Sequence, residues 1–209
     1  MKIINADTQI YGEINGEAIL RKLESIGRTC YKSENESVNN TAGAFVASLI
    51  KKGHESILEH ETLTIKFIVD RGISHEIVRH RLASFAQEST RYCNYSKNKF
   101  NSEITVIKPF YLEVGTEGYK NWKNSCETAE KEYFNLLNYG CTPEEARAVL
   151  PNSLKTELIM TADLREWRHF FNLRALNKTG KAHPQMLEVT RPLLKTLKEI
   201  IPIIFDDLE

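Results

Sequence analysis

Two runs of alternating residues lie among segments with helical periodicity, and this mixture constrains the fold most. Glu61 to Val69 alternates and is rich in β-branched residues, as expected for a strand with one buried face. Leu154 to Thr161 repeats the pattern, and a third strand is predicted between Tyr92 and Ile107. The sequence therefore predicts an α+β fold, with a mixed or antiparallel sheet flanked by helices. Because no Gly-x-Gly-x-x-Gly motif occurs, a non-Rossmann fold is expected.

Capping residues indicate where the helices begin and end. Ala18 to Ile26 has helical spacing, and Gly27 is predicted to cap this helix. A second helix contains Phe45 and Leu49 and is predicted to stop at Gly53. Further helices are expected over Glu117–Tyr139, from the capping sequence that begins at Thr142, from Asp163 to about Arg174, and from His183-Pro184 onward.

Composition narrows the class of protein. The 209 residues carry 28 basic and 28 acidic side chains, so the formal net charge is zero and general nucleic-acid binding is disfavoured. Residues 1–209 are expected to form a single domain, because no repeat or Pro/Gly-rich linker interrupts them. With no signal-peptide core and no apolar run near the roughly 18 residues that span a bilayer, a cytoplasmic protein without membrane contact is expected. The four widely spaced cysteines are expected to be free, inert thiols.

The segment Arg79 to Tyr92 carries the chemistry. Arginines, a histidine, hydroxyls and amides are concentrated there, after a predicted strand and a short helix. Arginine presents a fixed fork of N–H donors that matches phosphate oxygens, and hydroxyl groups add further donors. The segment therefore predicts a site for a phosphorylated small molecule. A structural alternative is that Arg79 and Arg81 only complement the dipole of a helix C-terminus.

The order of residues in this segment resembles the signature of the flavin-dependent thymidylate synthases, the ThyX family. That signature is Arg-His-Arg, seven residues, Ser, and an Arg two places further on, here Arg79-His80-Arg81, Ser89 and Arg91. The resemblance extends over most of the chain. It includes Arg28-Thr29-Cys30-Tyr31, Gly53-His54-Glu55-Ser56, Ala146-Arg147 to Leu150-Pro151, Leu164-Arg165, Asn172-Leu173-Arg174 and His183-Pro184-Gln185.

The resemblance implies reductive methylation of dUMP to dTMP. Methylenetetrahydrofolate would supply the carbon, NADPH the reducing power through FAD, and the enzyme would be a homotetramer with active sites shared between subunits. The residues implied to contact FAD are Ser56, Arg79, His80, Arg81, Gln87, Asp163, Arg165 and His169. Those implied to contact dUMP are Glu76, Arg79, Gln87, Glu88, Ser89, Thr90, Arg91, Arg147 and Arg174. Arg174 would act catalytically by polarising the uracil and favouring its ionised N3.

The sequence departs from the family pattern at several of these positions. Ala86-Gln87 replaces the usual Asn-Glu, so a carboxylate charge is lost at Gln87. Asp163 and His169 stand where the family tends to have Asn, and His75-Glu76 replaces Arg-Gln. Contacts to flavin or nucleotide are expected to be weaker at Gln87.

Two alternatives come from other functional classes. His75-Glu76 to His80 nearly spells the zinc-protease motif His-Glu-x-x-His, but five residues of separation turn the two rings roughly 140° apart on a helix. No metal is therefore expected, and bound zinc without flavin would favour this alternative. A non-catalytic nucleotide- or RNA-binding module is the other, and turnover of dUMP would exclude it.

Overall fold

A computed structural model describes residues 1–33, 41–97 and 100–209. The strands are β1 (Lys2–Ile4), β2 (Asp7–Tyr11), β3 (Thr62–Asp70), β4 (Ala83–Gln87), β5 (Thr105–Ile107) and β6 (Lys155–Asp163). The α-helices are α1 (Gly16–Tyr31), α2 (Ala42–Lys51), α3 (Arg71–Ile77), α4 (Glu117–Tyr139), α5 (Pro143–Ala146), α6 (Leu164–Arg174), α7 (Pro184–Ile200) and α8 (Pro202–Phe205). Within these ranges, 3-10 helices also cover Glu55–His60 and Arg147–Val149.

Two sheets organise the strands. One has the order β2-β3-β6-β4, and the other pairs β1 with β5 in parallel. β3 and β6 run antiparallel, since Arg71 N–H donates to the Leu154 carbonyl at 3.1 Å and Leu164 N–H donates to the Glu61 carbonyl at 3.0 Å. The predicted α+β class with a mixed or antiparallel sheet is confirmed.

The chain forms two compact units, each built from three segments. The first unit comprises Met1–Thr8, Lys66–Arg79 and Phe85–Ile159. Its core is a cluster of buried residues around Tyr133 of α4, against which Trp122 and Phe134 pack as the sequence predicts. The Tyr133 hydroxyl accepts the backbone N–H of Tyr95 at 3.4 Å, so the helix is tied to the chain that follows the signature.

The second unit comprises Gln9–Ile65, His80–Ser84 and Met160–Glu209. The aromatic side chains Trp167, Phe170 and Phe171 of α6 are fully buried, in agreement with their predicted packing role. The Trp167 indole N–H donates to the Leu63 carbonyl at 3.1 Å, which satisfies its polar atom inside the core. α6 is thereby fixed against β3, and its polar side chains have defined positions.

The structure corrects the predicted end of the first helix. α1 runs through Gly27 to Tyr31, and Lys32 takes the left-handed cap conformation at φ 52°. A Cβ on Gly27 would lie 2.6 Å from the Phe45 ring, so this glycine serves close packing with α2 rather than capping.

Other boundaries agree with the predictions or refine them. β3, β6 and α4 lie within two residues of the predicted ranges, and the Thr142 capping box and the Asp163 cap are both formed. Between Tyr92 and Ile107 the described residues contain only the short β5, while Asn98 and Lys99 lie outside the described part of the chain. β1, β2 and β4 were not predicted. No helix in the described ranges has the length and apolar character needed to cross a bilayer.

Candidate functional site

The signature begins in the connection between α3 and β4. The Asp70 carboxylate accepts the Ile73 N–H at 2.8 Å and starts α3, which ends at Ile77. Arg79 and Arg81 follow, both exposed, and neither side chain hydrogen-bonds or pairs with another described residue. Two guanidinium forks are thus available to an anionic ligand.

His80, between these arginines, is buried and fully engaged. Its Nδ1 lies 2.9 Å from a carboxylate oxygen of Glu166, and its Nε2 accepts from Nε of Arg174 at 3.2 Å. The rings of Phe170 and His169 lie 4.9 and 5.8 Å from the His80 ring, centroid to centroid. Burial lowers the pKa of His80, and the positive charge of Arg174 lowers it further, against the raising effect of Glu166. The imidazole is therefore neutral near pH 7.

A cleft in the second unit gathers several residues implied to contact FAD. Its volume is about 590 Å³, and Asp163, Arg165 and His169 lie in its wall. The remaining lining residues are Glu55, Glu59, Leu82, Glu166, Arg168 and Asn172. Arg165 pairs with Glu59 at 2.5 Å, so part of the acidic charge in the cleft is compensated.

Arg168 neutralises a second acidic residue of this cleft. Its guanidinium binds Asp207 through two contacts of 2.6 and 2.7 Å and reaches Glu55 at 3.2 Å. Ser56 follows Glu55 in the 3-10 helix and is exposed.

In the first unit, Gln87 closes β4 with its amide turned to other side chains. Its Nε2 donates to the Ser74 hydroxyl at 2.8 Å and to the Thr156 hydroxyl at 3.2 Å. Arg71 donates to the same Thr156 hydroxyl at 3.4 Å and to the Glu88 carbonyl at 3.2 Å. The Ser74 hydroxyl donates its own hydrogen to the Arg71 carbonyl at 2.9 Å, so it can only accept from residue 87. The Gln87 amide supplies that donor, whereas a carboxylate could not.

Glu88 is also occupied. Its carboxylate accepts from Nζ of Lys155 at 3.0 Å, and both side chains are largely buried. The Ser89 hydroxyl accepts the Arg91 N–H at 3.2 Å. Within the described ranges no general base contacts this hydroxyl, so no contact activates Ser89 as a nucleophile.

A smaller cavity, of about 260 Å³, lies beside the end of the signature. Arg71, His75, Thr90 and Arg147 contribute its polar lining. Arg147 Nη1 donates to the Thr90 hydroxyl at 3.2 Å, and Arg147 itself is exposed. Two guanidiniums and a hydroxyl in one small cavity suit a phosphate group.

The structure thus gathers the predicted residues in two groups. The first unit contains Arg79, Glu76, Gln87, Glu88, Ser89, Thr90, Arg91 and Arg147. The second contains Ser56, His80, Arg81, Asp163, Arg165, His169 and Arg174. Glu76 is half-buried on α3, and Arg91 pairs with Glu144 at 2.8 Å, where both side chains are exposed.

Sequence reasoning missed Glu166, Arg168 and Arg71. Glu166 had a usable signal, since it stands three residues after the cap Asp163 on the helix that ends at Arg174. Arg71 and Arg168 had none, because a single arginine that follows a strand or faces a core is not distinguishable by spacing.

His80, Glu166 and His169 are also the candidate metal ligands in the described part of the chain, with one ligand atom each within 4.8 Å of one another. Both His80 nitrogens already have protein partners, so a metal ion would have to displace Glu166 or Arg174. The zinc-protease motif is not formed, because α3 ends at Ile77 and His80 lies outside the helix.

The four cysteines are free thiols, as the sequence predicts. Cys30, Cys93, Cys126 and Cys141 are all free, and burial raises the pKa of the Cys126 thiol. A buried thiol with a raised pKa is a poor nucleophile.

The fold and these two groups of residues define an α+β protein whose cationic surfaces suit phosphorylated ligands.

Comparison with known proteins identifies the family. Residues 17–203 match the family described as thymidylate synthase complementing protein. A flavin-dependent thymidylate synthase of Corynebacterium aurimucosum is 33% identical over 208 residues, covering 94% of this chain and 81% of the relative. That of Pyrococcus abyssi is 35% identical, with 77% of this chain and 66% of the relative covered. The chain therefore belongs to the flavin-dependent thymidylate synthase family.

A solved structure supports the fold independently. The crystal structure of a UMP/dUMP methylase, PolB from Streptomyces cacaoi bound with 5-Br dUMP, superimposes with a TM-score of 0.79. The two chains are 21% identical, and the match covers 99% of this chain and 96% of PolB. At this level of identity the likeness concerns the fold alone.

Proposed function

We propose that this protein converts dUMP to dTMP by reductive methylation, with methylenetetrahydrofolate as carbon donor and NADPH as reductant through FAD. The proposal rests on the signature from Arg79 to Arg91, which lies within the matched family region. The guanidiniums of Arg79 and Arg81 in this signature bind no other residue among those that the structure describes. We further propose that residues 1–209 act as a single cytoplasmic domain, in a homotetramer with shared active sites.

The donor set fits FAD. Arg79 and Arg81 are exposed cations that suit a pyrophosphate, and the roughly 590 Å³ cleft has the size of a cofactor pocket. Ser56, Gln87, Asp163, Arg165 and His169 are the further proposed FAD contacts. The resemblance also implies His80 at FAD, and both of its ring nitrogens bind protein groups, Glu166 and Arg174. When bound, FAD would supply the reducing equivalent that converts the transferred carbon into a methyl group. The paired state of Glu55 and Glu59 favours this assignment, because unpaired carboxylates would repel the cofactor phosphates.

The dUMP phosphate is proposed to bind at the smaller cavity. Arg147 and Thr90 would donate to its oxygens there, together with Ser89 and Arg91. Glu76, Arg79, Gln87 and Glu88 are also proposed to lie at the nucleotide. Arg174 is proposed to face the uracil, where its charge would stabilise negative charge that develops when C5 becomes the nucleophile.

Flavin binding and reduction test the cofactor part of the proposal. The protein should bind FAD, and its flavin should bleach under anaerobic NADPH, more completely when dUMP is present. Arg79→Ala combined with Arg81→Ala should weaken FAD binding, whereas Lys120→Ala on the exposed face of α4 should not. A protein that cannot be loaded with FAD would refute the assignment.

A further inference from the structure

A chain of three side chains, of which Glu166 and His80 are buried, ends at the proposed catalytic arginine, Arg174. Glu166 and Arg174 lie eight residues apart on α6, which corresponds to about 12 Å along the helix axis. His80 bridges them, with 2.9 Å from Nδ1 to Glu166 and 3.2 Å from Nε2 to Arg174. Glu166 is 6% exposed and His80 is 5% exposed, so solvent does not compete for the contact between them, and Arg174 is half-buried.

The chemistry of the guanidinium fixes the tautomer of His80. Nε of arginine always carries a hydrogen and has no lone pair to offer, so Nε2 of His80 must be the acceptor. The proton of the neutral ring is then on Nδ1 and points to Glu166, whose carboxylate only accepts. Without that carboxylate, the opposite tautomer would direct an N–H at the Arg174 guanidinium and abolish the contact.

Neighbouring residues also fix the positions of His80 and Arg174. The Phe170 ring packs against the imidazole at 4.9 Å, and the Thr190 hydroxyl donates to the Arg174 carbonyl at 2.7 Å. The C-terminal end of α6 is thereby anchored to α7. The His80 contact engages Nε of Arg174 rather than its terminal fork, and so orients the plane of the guanidinium.

We propose that Glu166 and His80 are positioning residues for the dUMP reaction: Glu166 holds His80 in the Nδ1–H tautomer, and His80 orients Arg174 toward the uracil. This inference rests on the proposed function, which places the uracil at Arg174. The roles are distinct, since Arg174 would touch the substrate while Glu166 and His80 act through it.

A double-mutant cycle tests the coupling. His80→Leu should lower kcat/KM for dUMP by roughly 10- to 100-fold, as for loss of a hydrogen bond to a charged group. His80→Gln, which keeps an acceptor oxygen, should recover part of that loss, and Glu166→Leu should act in the same direction as His80→Leu. In an Arg174→Ala background, His80→Leu should cost little more, because the residue that it orients is gone. If the loss of kcat/KM in the double variant equals the product of the two single-variant losses, the proposal is wrong.

A readout independent of turnover separates this inference from the proposed function. Nitrogen-15 NMR of histidine-labelled protein, with His80→Gln to assign the signal, should find His80 neutral with its proton on Nδ1. Glu166→Leu should shift the population toward Nε2–H. If the wild-type protein makes no dTMP but shows this tautomer, the proposed function is wrong, while the contacts that link Glu166, His80 and Arg174 are confirmed. An Nε2–H or charged His80 in the native protein would refute the chain itself.

Discussion

Replacing Arg168 should destabilise the protein far more than replacing its neighbour Arg165 on the same helix. Arg168 is 7% exposed at its side chain and makes two contacts with Asp207, two with Glu55 and one with the Ile204 carbonyl. Arg165 is 52% exposed and contacts mainly Glu59. The pair therefore compares a buried guanidinium with an exposed one.

The contacts set the magnitude. Breaking a buried ion pair costs about 3–5 kcal/mol, but the Asp207 side chain is 52% exposed and remains solvated after the change. We therefore expect Arg168→Ala to lower the free energy of unfolding by about 2–4 kcal/mol. For a chain of this length that corresponds to a fall in Tm of roughly 4–16 °C. Arg165→Ala should cost about 1 kcal/mol or less.

The pH dependence gives an independent check. Arg168 lowers the pKa of Asp207 below its usual value. A depressed carboxyl pKa contributes stability above the unfolded-state pKa of about 3.9, and this stability is lost as the pH falls through the folded value. Calorimetry between neutral and acid pH should therefore show a smaller acid-induced fall in Tm for Arg168→Ala than for wild type. Equal losses of Tm for the two arginine variants at neutral pH would refute the reasoning.

Four further predictions follow from particular contacts. Gly27→Ala should lower stability by about 1–3 kcal/mol in urea unfolding, because its Cβ meets the Phe45 ring at 2.6 Å, and an increase would contradict the packing role. Ser89→Ala should weaken dUMP binding by about 0.5–1.5 kcal/mol in calorimetry and keep turnover. A trapped Ser89–uracil adduct in the native enzyme would instead identify Ser89 as a nucleophile. Changing Cys30, Cys93 and Cys141 to Ser and Cys126 to Ala should leave dTMP formation largely intact, and loss of turnover in a folded, flavin-loaded variant would contradict this. Arg174→Ala and Arg91→Ala should each slow the dUMP step far more than the reduction of flavin by NADPH alone, because each removes contacts worth about 1.5–3 kcal/mol. If both half-reactions are slowed equally, these arginines lie at the flavin instead.

Much of the fold was predictable because its signals are local. The Thr142 capping box, the Asp163 cap and the Gly140 end of α4 depend on residues within one helical turn, so spacing identifies them. Gly27 was misassigned because its reason is a contact with Phe45 in another helix, which spacing does not record. β4 was missed because its residues also form the signature, and their polar chemistry obscures the strand alternation.

The candidate site was likewise predictable only in part from the sequence. The arginines and hydroxyls of the signature were predictable because their order in the chain carries the family resemblance. The pairing of His80 with Glu166 and Arg174 was not predictable, since these two residues lie 86 and 94 positions from His80 in sequence. The sequence shows that Gln87 stands where the family usually has Glu. It does not show that the Gln87 amide donates to Ser74 and Thr156, because those residues lie 13 and 69 positions away in sequence.

The most direct test of the account is the fate of the methylene carbon. The FAD-loaded protein is incubated anaerobically with dUMP, NADPH and methylenetetrahydrofolate labelled with carbon-13 in the methylene group, and the nucleotides are analysed by mass spectrometry. The account predicts dTMP that carries one labelled carbon, and no dTMP when FAD, NADPH or the folate is omitted. Unchanged dUMP in the complete mixture, from a folded protein with bound flavin, would contradict it.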